Sequence, residues 1–266
     1  MDGRPMQRVA LGVAYDGSSW RGWQTQPGGQ TIQDQLENAL HQFAGQPLPT
    51  ICAGRTDTGV HALAQVVHVD APFERTEYAW IRGLNRYLPD SIAVQWAQPV
   101  SVEFHARFSA QRRRYTYLIL NRAHRHPLWQ TRAGWCFRPL DETVMQQAAN
   151  LLLGEHDFSS YRSSECQAAS PVRTMYQIQI HRRGELLALK FEANAFLHHM
   201  VRNLVGELVY VGHGRRSLSD FERILNARDR TLAAPTYSAA GLYLTGVTYP
   251  QELIAMPAQS DDLLAL

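Results

Sequence analysis

The sequence predicts an α+β fold of two related β-α-β-β-type subdomains, residues 1–103 and 104–266, that form a central, mainly antiparallel sheet flanked by helices. Two observations predict it. Strand-like and helix-like segments follow the order β-α-β-β-α-β in the first half, and the second half is a larger version of that plan. Helices between some strands and hairpins between others favour an antiparallel or mixed sheet.

The elements of the first half follow from local patterns. Apolar residues alternate over 8–15, which predicts a half-buried strand. A helix then runs from Thr31, whose side chain can cap its start, to Gly45, which can end it. The other expected elements are a short strand before residue 53, a strand over QVVHVDA, a helix from about 76 to 87, and a strand over SIAVQWA.

The second half begins with a strand over RRYTYLIL, residues 113–120. Asp141 can cap a helix that continues to Leu153, and Gly154 can end it. A hairpin is expected around Arg183 and Gly184. The remaining elements are an apolar helix over FLHHMVRNLVGELVYVGHG, a short capped helix over SLSDFERILNA, a closing strand over GLYLTGVTYP, and a tail, QSDDLLAL.

Composition excludes several classes of protein. With 45% hydrophobic and 19% charged residues in 266, the chain is globular. No apolar run reaches the roughly 18 residues that cross a bilayer, and no secretory signal is recognisable. The three isolated cysteines favour a reducing, cytoplasmic location. No cysteine pair has metal-ligand spacing, and the adjacent His198 and His199 would diverge on a helix, so no metal site is predicted.

An arginine-rich stretch points to a polyanionic partner. Between residues 104 and 140 there are eight arginines and no acid, with histidines, tyrosines and tryptophans among them. Arginine forks bind phosphates and stack on bases, so this pattern is typical of nucleic-acid binding. A solvated basic face is the alternative. The run Arg112, Arg113 and Arg114 provides candidate phosphate contacts.

The stretch AGRTDTGVHA, residues 53–62, holds a candidate catalytic carboxylate. Asp57 followed by Thr58 and Gly59 favours a tight turn after a short strand. A carboxylate on such a rigid turn suits a nucleophile or a general base, although a purely structural turn is the common alternative. Arg55, two residues earlier, is either a second polyanion contact or a surface residue.

Arg202 lies in the apolar helix, where a buried charge is costly unless it is paired. Asp57, Glu192 and Glu207 are its candidate partners, and a side chain that reaches the helix edge is the alternative. Tyr115, in RRRYTYLIL, is either a core residue or an aromatic ring that stacks on a base.

Taken together, these motifs resemble one family. AGRTDTGVHA, RRRYTYLIL, FLHHMVRNLVG and GLYLTGVTYP occur in the order seen in the tRNA pseudouridine synthase A family (TruA-type), from about residue 8 to 250. The family pattern more often has alanine where this chain has Thr58, a small change that leaves the aspartate in place.

The resemblance implies the pseudouridine synthase fold and the isomerisation of uridine to pseudouridine at positions 38, 39 and 40 of the tRNA anticodon stem-loop. It implies that Asp57 is the essential carboxylate, and both attack on the sugar and proton abstraction to a glycal remain open. It assigns Tyr115 and Leu242 to the two sides of the target base, Arg202 to the aspartate, and Arg55 to holding the nucleotide out of its stack. It further implies a homodimer that uses no cofactor and no nucleotide, with tRNA as the partner and no membrane.

Two rival functions are consistent with parts of the sequence. Arginines and aromatics would suffice for a non-catalytic RNA-binding module, in which Asp57 is only a turn residue. The D-T-G spelling of residues 57–59 is also that of aspartic proteases, but those enzymes need two such aspartates and this chain has one.

Overall fold

A computed structural model of the chain describes residues 6–258 and Leu263. These residues divide into two compact units, one within Met1–Gln111 and Leu244–Ser260, the other within Arg112–Tyr243 and Asp261–Leu266. Apart from Leu263, the predicted tail at 259–266 lies outside the described residues.

These units differ from the predicted division at residues 103 and 104. The segment at 104–111 belongs to the first unit because it packs against the end of the chain within that unit. The rings of Phe104 and Tyr249 lie 4.9 Å apart, and the Tyr249 hydroxyl donates to the Ala106 carbonyl oxygen at 2.6 Å. The Ala106 amide in turn donates to Nδ1 of the buried His68 at 3.1 Å. These contacts join residues far apart in sequence, so local patterns could not place the boundary.

The first unit is a set of antiparallel strands with two helices. Its elements are β1 (Gln7–Tyr15), α1 (Ile32–Ala44), β2 (Ile51–Cys52), β3 (His61–Ala71), α2 (Glu77–Asn85) and β4 (Ile92–Val100). Strand β1 pairs antiparallel with both β3 and β4, and β2 pairs antiparallel with β3. Strand β10 (Leu242–Thr248) has its last five residues in this unit.

Local chemistry explains α1 as predicted. The Thr31 side chain accepts a hydrogen bond from the Asp34 amide, which satisfies a free donor of the first turn, and Gly45 ends the helix at φ 73°. On the apolar face of the helix, Leu36 and Leu40 are fully buried. Burial of side chains of this size contributes about 1.5–3 kcal/mol each, so this face anchors the unit.

The second unit has the same character. Its elements are β5 (Arg112–Asn121), β6 (Gly134–Cys136), α3 (Glu142–Asn150), β7 (Gly154–Asp157), β8 (Val172–Arg183), β9 (Leu186–Ala193), α4 (Met200–Gly212) and α5 (Leu218–Ala227), with the start of β10. Strands pair antiparallel in the order β5-β9-β8-β7, and β6 pairs parallel with β5. The α+β class with mainly antiparallel strands is therefore confirmed.

Two details differ from the sequence patterns. The apolar helix was expected from Phe196, but α4 begins at Met200 because His199 adopts the left-handed conformation at φ 63°. The short strands β6 and β7 have too few residues to show a period-two pattern.

Within the described part of the chain, no helix is long and apolar enough to cross a membrane.

Candidate functional site

Asp57 lies in a tight turn between β2 and β3 of the first unit. The Val60 amide donates to the Asp57 carbonyl oxygen at 3.1 Å, and Gly59 adopts φ 78°, a conformation that favours glycine. The side chain of Asp57 is half-buried. The predicted turn is therefore present, and it holds a partly exposed aspartate on a hydrogen-bonded backbone.

A second loop, at residues 17–23, supports this turn from the side. The Trp23 amide donates to the Thr56 carbonyl oxygen at 2.9 Å, and the Gly59 amide to the Trp20 carbonyl oxygen at 3.4 Å. Gly22 adopts φ 83°, and a β-carbon there would lie 2.7 Å from the Thr56 carbonyl oxygen. No other residue type can bring the two loops this close without a shift of the backbone beside Asp57.

Buried polar side chains fix the turn from below. The Tyr15 hydroxyl lies 2.8 Å from the Thr56 hydroxyl, and Gln65 donates to the Gly54 carbonyl oxygen at 2.6 Å. The side chain of His61 is also buried, and its Nδ1 accepts the Gly17 amide at 3.1 Å. Its Nδ1 also lies 3.2 Å from an Asp16 carboxylate oxygen, but one nitrogen cannot accept from the amide and donate to the acid at once. The bond from the Gly17 amide ties His61 to the neighbouring loop.

Arg55 lies on the surface of the first unit. Arg55 is exposed, and it forms no ion pair with any residue that the structure describes. Its guanidinium is thus available to an external anion.

The second unit contains Tyr115, Arg202 and Leu242. Tyr115 lies opposite Phe191 in the β5–β9 register, is 8% exposed, and meets the Phe196 ring edge-on at 5.1 Å. Leu242, the first residue of β10, is 5% exposed. The sequence left Tyr115 open between core and ligand, and its small exposed fraction is compatible with one ring edge that meets a ligand.

Arg202 is positioned by Tyr237. Its Nε donates to the Tyr237 carbonyl oxygen at 2.9 Å, and the Tyr237 amide donates back to the Arg202 carbonyl oxygen at 3.2 Å. Sequence patterns did not indicate Tyr237, because nothing near it in the chain marks a partner for a residue 35 positions away.

Two of the three carboxylates that the sequence offered to Arg202 contact other arginines. Glu207 is fully buried, lies 3.1 Å from Nε of Arg216, and accepts the Ala234 amide at 2.6 Å. Burial raises the pKa of Glu207, and the amide and arginine contacts oppose the shift. Glu192 contacts Arg112 and Arg114.

Those contacts also modify the interpretation of the arginine-rich stretch. Its sequence holds no acid, but β9 supplies one: Nη1 of Arg112 lies 2.7 Å from Glu192, and Nε of Arg114 lies 3.8 Å from the same carboxylate. Arg113 donates to the Asn194 carbonyl oxygen at 2.9 Å. The guanidinium of Arg112 also lies 4.3 Å from the centre of the Tyr176 ring. The basic run is thus partly neutralised within the protein.

The pair His198–His199 is the clearest correction of a sequence-based expectation. The two side chains were expected to diverge on a helix. The structure instead places both residues before α4, with ring centres 4.0 Å apart. The left-handed backbone at His199 is the cause, since helical geometry would separate adjacent side chains by about 100°.

Comparisons with known proteins place these features in a family. The family model described as tRNA pseudouridine synthase matches residues 12–109 and 148–250. Asp57, Arg55, Arg202 and Leu242 fall within the matched ranges, and Tyr115 falls outside them.

Curated relatives agree over nearly the whole chain. The tRNA pseudouridine synthase A of Bordetella petrii is 61% identical over 249 residues, 93% of either chain. That of Paraburkholderia phytofirmans is 54% identical over 253 residues, 95% of this chain and 93% of the relative. A solved structure, a chain of a Cbf5-Nop10-Gar1 complex, aligns at 13% identity and a TM-score of 0.37 over 89% of this chain and 48% of that one, a likeness that supports no inference. The resemblance seen in the motifs is confirmed: this chain belongs to the tRNA pseudouridine synthase A family.

Proposed function

We propose that the protein isomerises uridine to pseudouridine at positions 38, 39 and 40 of the tRNA anticodon stem-loop, with Asp57 as the essential carboxylate. The single observation that carries the proposal is the family match, which runs through both units and includes the Asp57 turn. The rigid, half-buried turn supplies what the chemistry needs, a carboxylate held in a fixed direction.

The reaction breaks the N1–C1′ glycosidic bond, turns the uracil, forms a C5–C1′ bond and releases the proton from C5. Asp57 either attacks C1′ to give a covalent intermediate or removes a sugar proton to give a glycal. Substrate and product have the same oxidation level, so the reaction needs no redox cofactor. We infer from the family resemblance that it uses no nucleotide.

A base inside a stem must leave its stack before it can react, at a cost of a few kcal/mol. From the second unit we assign Tyr115 and Leu242 to contacts with the faces of the target base, and Arg202 to electrostatic support of the reacting groups. Arg55, which is exposed and forms no ion pair among the described residues, is assigned to holding the displaced nucleotide.

We also propose that the enzyme works in the cytoplasm as a homodimer. Light scattering of the pure protein should then give twice the 30.1 kDa mass of the chain. A mass of one chain at micromolar concentration would contradict the dimer without affecting the proposed chemistry.

The test is tritium release from tRNA labelled at uridine C5, with pure protein and without added metal or nucleotide. Asp57→Asn and Asp57→Ala should abolish release and keep tRNA binding. Asp90→Asn, at an exposed aspartate of the same unit, is the matched control and should release tritium at the wild-type rate. Undiminished release by both Asp57 variants would refute the role of this residue. Binding without release by the wild type would favour the non-catalytic RNA-binding module.

A further inference from the structure

The second unit contains a polar pocket whose lining residues have no role in the proposed function so far. Its volume is about 580 Å³. Its lining side chains are two arginines, one histidine and five hydroxyl-bearing residues, with no carboxylate and no large apolar group: Arg162, Arg230, His199, Ser159, Ser163, Ser164, Thr231 and Thr236. Such a lining offers hydrogen-bond donors and positive charge, which is the chemistry of an anion site.

Arg162 is held in place without being neutralised. Its Nη2 donates to the carbonyl oxygens of Cys166 at 2.7 Å and Ala168 at 2.8 Å. Both acceptors are uncharged, so these bonds fix the guanidinium and leave its charge intact. Arginine presents five donors, so the remaining ones can meet a further acceptor.

Arg230 is held in a similar way. Its Nη2 donates to Oδ1 of Asn203 at 3.1 Å and to the Thr236 hydroxyl at 3.2 Å, and its Nη1 to the Ala233 carbonyl oxygen at 3.3 Å. Neither Arg162 nor Arg230 forms an ion pair with a carboxylate among residues 6–258. Glu207 lies within electrostatic reach of Arg230, but its carboxylate contacts Arg216 and the Ala234 amide.

Asn203 links Arg230 to the backbone at Tyr161. It is fully buried in α4, accepts from Arg230 and Thr236, and donates through Nδ2 to the Tyr161 carbonyl oxygen at 2.8 Å. Tyr161 ends the short 3₁₀ turn Ser159–Tyr161, which carries Ser159 into the pocket. This part of the pocket is therefore organised before any ligand arrives, because a buried amide with satisfied hydrogen bonds joins Arg230 to the turn that carries Ser159.

We propose that this pocket binds a backbone phosphate of the tRNA substrate, with Arg162 and Arg230 as its charged donors and Asn203 as the residue that positions Arg230. The inference rests on the proposed function, which supplies the polyanion. The pocket is open to solvent on one side, so a phosphodiester can enter it while its flanking sugars remain connected to the rest of the tRNA. Phosphate contacts of this kind set the register of a nucleic acid without reading its sequence.

The test compares Arg162→Gln and Arg230→Gln with the matched control Arg223→Gln, an exposed arginine on α5 that pairs with Asp220. Dissociation constants for unmodified tRNA are measured over a salt series, beside initial rates of tritium release. Each pocket variant should bind tRNA roughly tenfold more weakly and lose about 0.7–0.9 from the slope of log K against log salt. KM should rise with little change in kcat, since a backbone phosphate takes no part in the bond changes and its contact is equal in ground and transition states. The control should match the wild type.

A second pair of variants guards against misfolding. Thr236 is exposed, so Thr236→Glu should fold and place a carboxylate beside Arg230, while Thr236→Gln adds similar bulk without charge. The glutamate variant should lose tRNA affinity and salt slope, and the glutamine variant should lose far less.

The outcomes separate this inference from the proposed function. If the wild-type protein releases no tritium, the proposed function itself is refuted. A wild type that releases tritium, with pocket variants that bind tRNA at unchanged affinity and slope, would overturn the phosphate site alone. A last measurement uses inorganic phosphate. The tRNA assignment is wrong if phosphate raises the melting temperature of the wild type but not of Arg230→Gln, while both proteins bind tRNA equally well. In that case the pocket holds a free anion.

Discussion

The hydroxyl groups of Tyr15 and Thr56 lie 2.8 Å apart in the interior of the first unit. Thr56 directly precedes Asp57 in the chain. This bond ties the end of β1 to the Asp57 turn. Tyr15→Phe should cost about 0.5–1.5 kcal/mol of unfolding free energy and lower kcat several-fold, because the turn that carries Asp57 loses a buried constraint. Urea unfolding and tritium-release rates check both effects. Tyr78→Phe removes a hydroxyl at an exposed site and should change neither. A Tyr15→Phe enzyme with wild-type kcat would show that this bond does not position the turn.

Gly22 provides a steric test of the same turn. Gly22→Ala introduces a β-carbon 2.7 Å from the Thr56 carbonyl oxygen at a backbone φ of 83°. Gly29→Ala is the matched control, since φ there is also positive, at 66°, but nothing lies within 4 Å of the added carbon. The control should lose about 1 kcal/mol of stability and keep its activity. Gly22→Ala should lose more stability and most of its tritium release, and equal behaviour of the two variants would contradict close packing of the loops.

Substitutions of Tyr115 distinguish a contribution of its aromatic ring from a contribution of its hydroxyl group. If its ring contributes mainly by contact with the base, Tyr115→Phe should be mild and Tyr115→Ala severe, since aromatic contacts contribute about 1–3 kcal/mol per base. Steady-state tritium release measures both variants. Losses of equal size would instead assign the role to the hydroxyl.

The arginine run on β5 should contribute to tRNA binding through charge. Replacement of Arg112, Arg113 and Arg114 by glutamine should weaken tRNA binding and reduce its salt slope. The reduction in slope should be smaller than the reduction expected for the loss of three phosphate contacts, because Glu192 already pairs with Arg112 and lies 3.8 Å from Arg114. Fluorescence titrations from low to high salt measure the slope, and an unchanged value would show that these arginines do not touch phosphate.

His68 predicts a pH dependence of stability in the first unit. Burial lowers the pKa of His68 to about 4. The positive charges of Arg8 and His105 lower this pKa further, and the negative charge of Asp70 partly opposes the shift. Between the ordinary histidine pKa of about 6.5 and this value, the unfolded chain binds a proton that the folded chain does not. Stability should therefore fall as pH decreases from 6.5 to 4, by at most on the order of 3 kcal/mol from this residue.

His68→Asn keeps an acceptor near the position of Nδ1, which receives the Ala106 amide, but cannot titrate. Urea unfolding at a series of pH values should show a shallower acid loss for the variant, and a constant difference from the wild type above pH 7. Parallel curves over the whole range would show that His68 does not set this dependence.

Features that depend on a few neighbouring residues could be predicted. Thr31 and Gly45 bracket α1 as expected, Gly184 forms the hairpin turn, and Asp57 occupies the turn that its Thr58–Gly59 sequence favours. Family membership was equally accessible, because the motifs are contiguous. In each case the determining hydrogen bond or apolar period lies within one or two turns of the chain, so linear order suffices.

Contacts between distant residues were not accessible in this way. Glu192 pairs with Arg112 across 80 positions, and Arg230 meets Asn203 across 27. Whether a charge is neutralised or left for a ligand therefore depends on strand register and helix packing, which no local pattern encodes. Residue types and short spacings determine the elements, the Asp57 turn and the family. Three-dimensional packing decides which arginines remain free for a polyanion, because electrostatic pairing follows distance in space and not order along the chain.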